Sequence, residues 1–346
     1  MLESGMENRR VKMLLSIGLA VALLAYFLSK ANLADVADKL ARVRAGYFLL
    51  SLGSSLATIP LRSWRWQFLL RPVGKVRFAD SFSATCIGFA ASTVLPARAG
   101  EVIRPVVLSR RTGLSFSGAL ASVAFERLLD LATVLAFVVA FVVHSRTTGG
   151  ADSLEHPELI VRLAKISAAL LAAFAAVSAW SVLRRAQMVG FVERLSSRLP
   201  AGVRAKIRAA AASFIDGLSI VRDGRNFAAS VVLSVALWTA VYLQIFFLLR
   251  AFHTALSFWA AVIVGLLTLV GMLIPTPGAI GGFQAMCSYA LTFFYGVAID
   301  TATAFALLYW AIAFIPVTVI GFALFAAGPR RSKSSLADLA EAAAEE

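Results

Sequence analysis

"SFSATCIGFAASTVLPARAGEVIRPVVLSRR", residues 81–111, decides how this chain is read. Its first half is apolar enough to lie in a membrane but stops at Pro96, too soon for a clean crossing of a ~30 Å hydrocarbon core at ~1.5 Å per residue. Arg98, Glu101 and Arg104 then arrive where a spanning helix would still be in lipid. A chain that breaks at mid-depth and turns back satisfies both facts, so residues 78–113 are expected to form a re-entrant hairpin of two half-helices.

The rest of the sequence supports a membrane setting. Of 346 residues, 60% are hydrophobic and 15% charged, and the mean hydropathy is +0.81, far from a soluble domain. The net charge of +14 does not point to nucleic acid, because Lys and Arg sit in short loops between apolar runs, where they set orientation. Cys86 and Cys287 lie in apolar segments without metal or redox spacing. No P-loop, G-x-S-x-G or H-E-x-x-H occurs, and no cofactor or metal is expected.

The fold class expected is an all-α polytopic membrane protein. Full crossings are read at 12–29, 46–66, 115–143, 158–183, 226–250 and 299–327, with re-entrant hairpins at 78–113 and 256–298. "MENRRVK" precedes the first run, no cleavage site follows it, and it is read as a retained helix with a cytoplasmic N-terminus. Segment 62–77, with five basic and no acidic residues, and segment 184–225, with nine basic and three acidic, then fall on the cytoplasmic side. Loop 30–45 is basic although it is placed outside; "ANLADVADKLARVR" there reads as an amphipathic surface helix. Trp64, Arg65 and Trp66, with Arg62 and Arg71, read as an interfacial aromatic and basic belt, with headgroup entry as an additional role for Arg65. One domain, 1–328, includes basic amphipathic cytoplasmic helices at 186–222. A polar tail, 329–346, is expected to be disordered.

Parity of crossings gives the two hairpins opposite senses. The first dips in from the cytoplasm and the second from outside, so "LPARAGE" and "IPTPGAIGG" would meet near the midplane as an inverted repeat. Irregular backbone at that depth must be buried in protein or line a wet cavity.

Six ionisable residues form the candidate site of the first half: Arg98, Glu101, Arg104, Glu126, Arg127 and Asp130. Glu126, Arg127 and Asp130 lie roughly 16 to 22 Å into the third span, and a charge at mid-bilayer costs roughly 2.5 to 3.5 kcal/mol, so they cannot face lipid. Three positive and three negative groups make the set neutral. It serves either as a buried clamp pinning hairpin to helix, or as a phosphate site in which arginines give paired donors and carboxylates hold them when the site is empty. The second hairpin carries no ionisable residue but gathers Pro275, Pro277, Gly278, Gly281 and Gly282. It reads as a buried helix N-terminus for an anion, with Thr276, Gln284 and Ser288 as neutral contacts, or as a plain kinked helix.

These residues resemble a known family. "LPARAGEVIRPVVLSRRTGLSFSGALASVAFERLLD" and "PTPGAIGGFQA" resemble the two signatures of the lysylphosphatidylglycerol synthase transmembrane, or flippase-like, family, over about residues 10–328. The matching positions are Pro96, Arg98, Gly100, Glu101, Arg104, Glu126, Arg127 and Asp130, then Pro275, Pro277, Gly278 and Gly281. Two depart: the family usually has Gly where Ala279 stands and Glu where Gln284 stands. The resemblance implies handling of anionic or polyprenyl-linked lipids in a bacterial or archaeal cytoplasmic membrane. With fewer than twenty residues after Pro329, synthase activity is not expected. The reading is therefore an ATP-independent flippase of an anionic or polyprenyl-phosphate-linked lipid. Its partners are membrane lipids and not nucleic acid, both termini are cytoplasmic, and the oligomeric state is left open. The rivals are a membrane enzyme acting on polyprenyl phosphates and an envelope-assembly scaffold.

Overall fold

The computed structural model describes residues 18–26, 28–95, 100–148, 223–274 and 276–327, with isolated positions between 158 and 172. Most of the fourth span, the 186–222 helices, the C-terminal tail, Pro96, Arg98 and Pro275 lie outside the described residues. All regular elements among the described residues are helical, and the chain is an all-α polytopic membrane protein. Helix α1 contributes residues 18–26; α2 is Leu33–Ala41, α3 Ala45–Leu69, α4 Phe78–Val94, α5 Gly100–Thr112 and α6 Phe116–Thr148. Helices α7 (Gly224–Ala251), α8 (Phe258–Gly271), α9 (Gly282–Tyr295) and α10 (Ile299–Ala327) follow, with a 3-10 turn at Pro277–Ala279 between α8 and α9.

Among the described residues, three helices, α6, α7 and α10, are long and apolar enough to cross a membrane. Helix α3 has the length, at 25 residues, but carries Arg62 and Arg65. Helix starts follow local chemistry. Asn32, Asp223 and Ser257 cap α2, α7 and α8 through side-chain oxygens that accept from Ala34, Asn226 and Trp259 N–H. Helix α2 is amphipathic as read from sequence: it buries Val36 and packs on α10, and the Asn32 N–H donates to Asp300.

Both hairpins appear as helix, break, helix folded back on itself, and each is closed by a pair of glycines. A Cβ on Gly100 would strike the Gly88 carbonyl, and one on Gly271 the Gly282 carbonyl. Backbones touch there, which only glycine permits. The halves then end alike: Gly113 after α5 and Gly296 after α9 both take positive φ, 73° and 60°, the left-handed conformation that stops a helix.

The packing obeys the same pairing. With α3, α4, α5 and α6 set against α7, α8, α9 and α10, every extensive contact has its counterpart: α3–α4 with α7–α8, α4–α5 with α8–α9, α5–α6 with α9–α10, α4–α10 with α8–α6, α6–α7 with α10–α3, and α3–α6 with α7–α10. Helices α3 and α7 pack on each other most intimately and run antiparallel. Arg44 N–H bonds the Ala251 carbonyl, Ser51 bonds the Gln244 carbonyl, and Arg65 reaches Ser234. Counterpart helices of opposite sense are the geometry of an inverted repeat. Buried serines on both helices (Ser51, Ser55, Ser230, Ser234) let them approach closely.

Candidate functional site

The charge cluster is built by four helices around Glu126, which is fully buried. Arg104 of α5 grips it with one nitrogen, Nη1, at 3.0 and 2.9 Å from the two carboxylate oxygens. Arg65 of α3 approaches at 3.1 Å and Arg127 at 2.7 Å. One turn on, Asp130 accepts from Arg65 Nη1 at 2.6 Å and from the indole N–H of Trp238, on α7, at 2.9 Å, and Arg127 Nη2 stands 3.4 Å away. Behind Glu126, the Arg104 guanidinium lies 3.8 Å from the Trp66 ring centroid, and the Trp66 N–H donates to Ser122.

Sequence reasoning brought Arg104, Glu126, Arg127 and Asp130 together, and the structure does place them in one network. Glu101 lies half-buried at the start of α5, close enough to act electrostatically on Arg127. Two readings need correction. Arg65 and Trp66 are not an interfacial belt: both are fully buried, and only Trp64 and Arg71 face outward. The position of Arg65 on the α3 face that meets α6 and α7 decides this, and a window of "RSWRW" cannot show which of five neighbours turns inward. Nor is the set neutral, because Arg65 and Arg62 join it.

A cavity of about 430 Å³ opens beside this cluster, between α3, α6, α7, α8 and α10, with Phe89 of α4 and Phe283 of α9 completing its wall. Arg62, Arg127 and Asp130 form its charged pole, and most of the remaining wall is apolar. Glu126, Arg104 and Arg65 stand behind that pole and do not line the cavity. The cluster thus divides into a sealed clamp around Glu126 and an accessible edge at Arg127 and Asp130. The Arg127 side chain is 38% exposed, against 0% for Glu126. Four lining residues, Leu56, Leu131, Val270 and Leu273, are also exposed on the outer surface of the protein, so the cavity has an apolar rim on its flank.

The second hairpin serves differently from expectation. Its tip meets the first hairpin: Gly278, at φ 60°, lies against Thr93 near the end of α4, and its carbonyl accepts from the Trp310 indole at 2.8 Å. Thr276, Gly278, Gly281, Gly282 and Gln284 do not line the cavity. Gln284 uses its side-chain oxygen to take the Gly281 N–H at 2.7 Å, and Thr276 donates to the Ile280 carbonyl. Leu23 of α1 covers Gly281. These groups therefore close the tip on itself. A carboxylate at 284 would accept the same N–H.

Gln244 was missed altogether. It is buried on the cavity wall, and its amide nitrogen has no hydrogen-bond partner. A lone Gln inside an apolar run at helical period was the available signal.

Two comparisons place the chain among known proteins. The family model described as "Lysylphosphatidylglycerol synthase TM region" matches residues 13–321. The "Glycosyltransferase AglD" of Haloferax volcanii is 33% identical over 96 residues, which is 28% of this chain and 15% of that protein. The chain thus spans only a small part of that relative's length.

Proposed function

Because the chain belongs to the lysylphosphatidylglycerol synthase transmembrane family, we propose that its membrane-lipid function is translocation: an ATP-independent flippase that passes an anionic or polyprenyl-phosphate-linked headgroup through the cavity beside the charge cluster. One observation carries this reading. The cavity joins a charged pole, Arg62, Arg127 and Asp130, to an apolar wall and an exposed apolar rim at Leu56, Leu131, Val270 and Leu273. A soluble anion needs the first feature only; a lipid needs both, since its headgroup must leave hydrocarbon while its chains stay in it.

The size fits that division. About 430 Å³ holds a headgroup and the first part of the chains, and the rest would extend through the rim into the bilayer. The inverted repeat supplies a route to the other leaflet. If the halves exchange conformations, the pole presents itself to the opposite side while the glycine-closed hairpins move as rigid units. Half-crossing hairpins meeting near mid-depth from opposite faces belong to this reading, as do cytoplasmic termini. Each hairpin helix, at 13 to 17 residues, is too short to cross a core of ~30 Å alone.

The test is headgroup accessibility in proteoliposomes loaded with fluorescent phosphatidylglycerol. Wild-type protein should move label between leaflets, and Leu269→Trp, which fills the cavity, should stop it. Movement unaffected by that substitution in folded protein would remove the cavity from the mechanism. The similarity to a glycosyltransferase favours a second reading, group transfer on a polyprenyl phosphate. A new product formed from labelled polyprenyl phosphate with a sugar donor would replace the first reading with this one.

A further inference from the structure

We infer that Arg62 is the residue that selects the ligand: the phosphate of the headgroup sits between Arg62 and Arg127, and Arg62 confers the preference for an anionic over a neutral lipid. This rests on the cavity reading above and deepens it. The two guanidinium groups line the same pole, yet their situations differ. Arg127 already contacts Glu126 and Asp130. Arg62 makes no ion pair with any described carboxylate; its guanidinium lies 5.3 Å from the centroid of the Phe89 ring, which also lines the cavity.

A charge in a membrane helix is costly, so an arginine that feels Asp130 only from beyond ion-pair distance calls for a physical reason. Local balance does not supply one. Among the described residues, Arg62, Arg65, Arg104 and Arg127 face Glu126 and Asp130, and counting Glu101 near Arg127 still leaves the cluster positive. Pairing all three carboxylates with the other arginines leaves Arg62 as the surplus. A phosphate diester carries the missing negative charge, and two planar donors meet its oxygens better than one. The aromatic face of Phe89 holds Arg62 at the wall without neutralising it, so its donors stay available.

Lipid and free phosphate share this chemistry, and the test separates them. Purified protein in nonionic detergent is titrated with dioctanoyl phosphatidylglycerol, with dioctanoylglycerol, and with inorganic phosphate. Phosphatidylglycerol should bind at least tenfold tighter than dioctanoylglycerol. Arg62→Gln should erase that preference by weakening phosphatidylglycerol alone, and Arg62→Lys, a point charge without the planar fork, should keep part of it. Phosphatidylglycerol affinity unchanged in Arg62→Gln overturns the assignment, as does an equal loss for both lipids, which marks Arg62 as structural. If Arg62→Gln does not fold, unchanged preference in Arg62→Lys has the same force. Inorganic phosphate competing as strongly as the lipid would make this a site for a soluble anion. Leu269→Trp separates the two levels: unchanged binding of both lipids there removes the cavity, whereas lost binding there with unchanged binding in Arg62→Gln removes only Arg62.

Discussion

The two halves share one scaffold and solve its interior with opposite chemistry. One interval separates Gly88 from Gly271 and Phe116 from Ile299; carried from Glu126, it lands on Tyr309. In the first half that position is a carboxylate gripped by three arginines. In the second it is a tyrosine packed against Phe283, at 4.9 Å between ring centroids, and Phe305. The first half pins its hairpin to the long helix by charge, Arg104 to Glu126. The second pins its hairpin through Trp310 to the Gly278 carbonyl. The backbone solution is therefore separable from the site: symmetry gives the architecture, and the loss of symmetry at a few side chains gives a polar pole on one side of the cavity only.

The largest test of that difference is to remove each centre. Glu126→Gln leaves Arg65, Arg104 and Arg127 around a neutral amide in a sealed interior, and breaking one partner of a buried pair costs roughly 3 to 5 kcal/mol. Tyr309→Phe, at the counterpart position, should cost no more than about 1 kcal/mol, since aromatic packing persists. Thermal unfolding of both variants in detergent compares them directly. Replacing the Glu126–Arg104 pair by Leu and Met should recover part of the loss, because desolvation opposes much of a buried pair's attraction. Equal costs at 126 and 309 would show that the charged centre is not the stronger staple.

How much of this could be read in the chain depends on what fixes each feature. Helix limits were legible because hydropathy and caps are local: the sixth span, 299–327, coincides with α10, and the break after Val94 was expected from Pro96. Grouping Arg104, Glu126, Arg127 and Asp130 needed only the assumption that charge avoids lipid. Arg65 and Arg62 were misplaced because an interfacial arginine and a buried one have the same local sequence, and only the packing of α3 on α6 and α7 tells them apart. The cavity is lined from seven helices spread along the chain, so no window encodes it. What the halves share are single glycines, Gly88 with Gly271 at a backbone contact and Gly113 with Gly296 at a helix stop, too sparse to stand out in apolar sequence.

Those glycines carry the next prediction, in which the halves should agree. Gly100→Ala and Gly271→Ala each push a Cβ into a facing carbonyl and should destabilise by about 1 to 3 kcal/mol. Gly53→Ala, on an α3 face with open space around it, should instead stabilise by roughly 0.5 to 1 kcal/mol through helix propensity. A large cost in one hairpin and none in the other would mean that one closure is incidental, and the repeat would then be weaker than its contacts imply.

The smallest effect separates the tip of the second hairpin from its own closing cap. Ala279 sits at φ 56°, a conformation that costs an L-residue about 1 to 2 kcal/mol. Ala279→Gly relieves that strain, but the freer unfolded chain takes back about 0.4 to 1 kcal/mol. The lost methyl, nine-tenths buried, takes back part of what remains. The net should be a gain below about 1 kcal/mol, a rise of a few degrees in unfolding temperature at most. Gly296→Ala, at φ 60° in the cap after α9, should move the other way by a similar amount, because it introduces the strain that Ala279 already bears. If Ala279→Gly destabilises instead, the methyl's contacts at the tip outweigh the backbone. Alanine there would then be part of how this chain seats its second hairpin against the first.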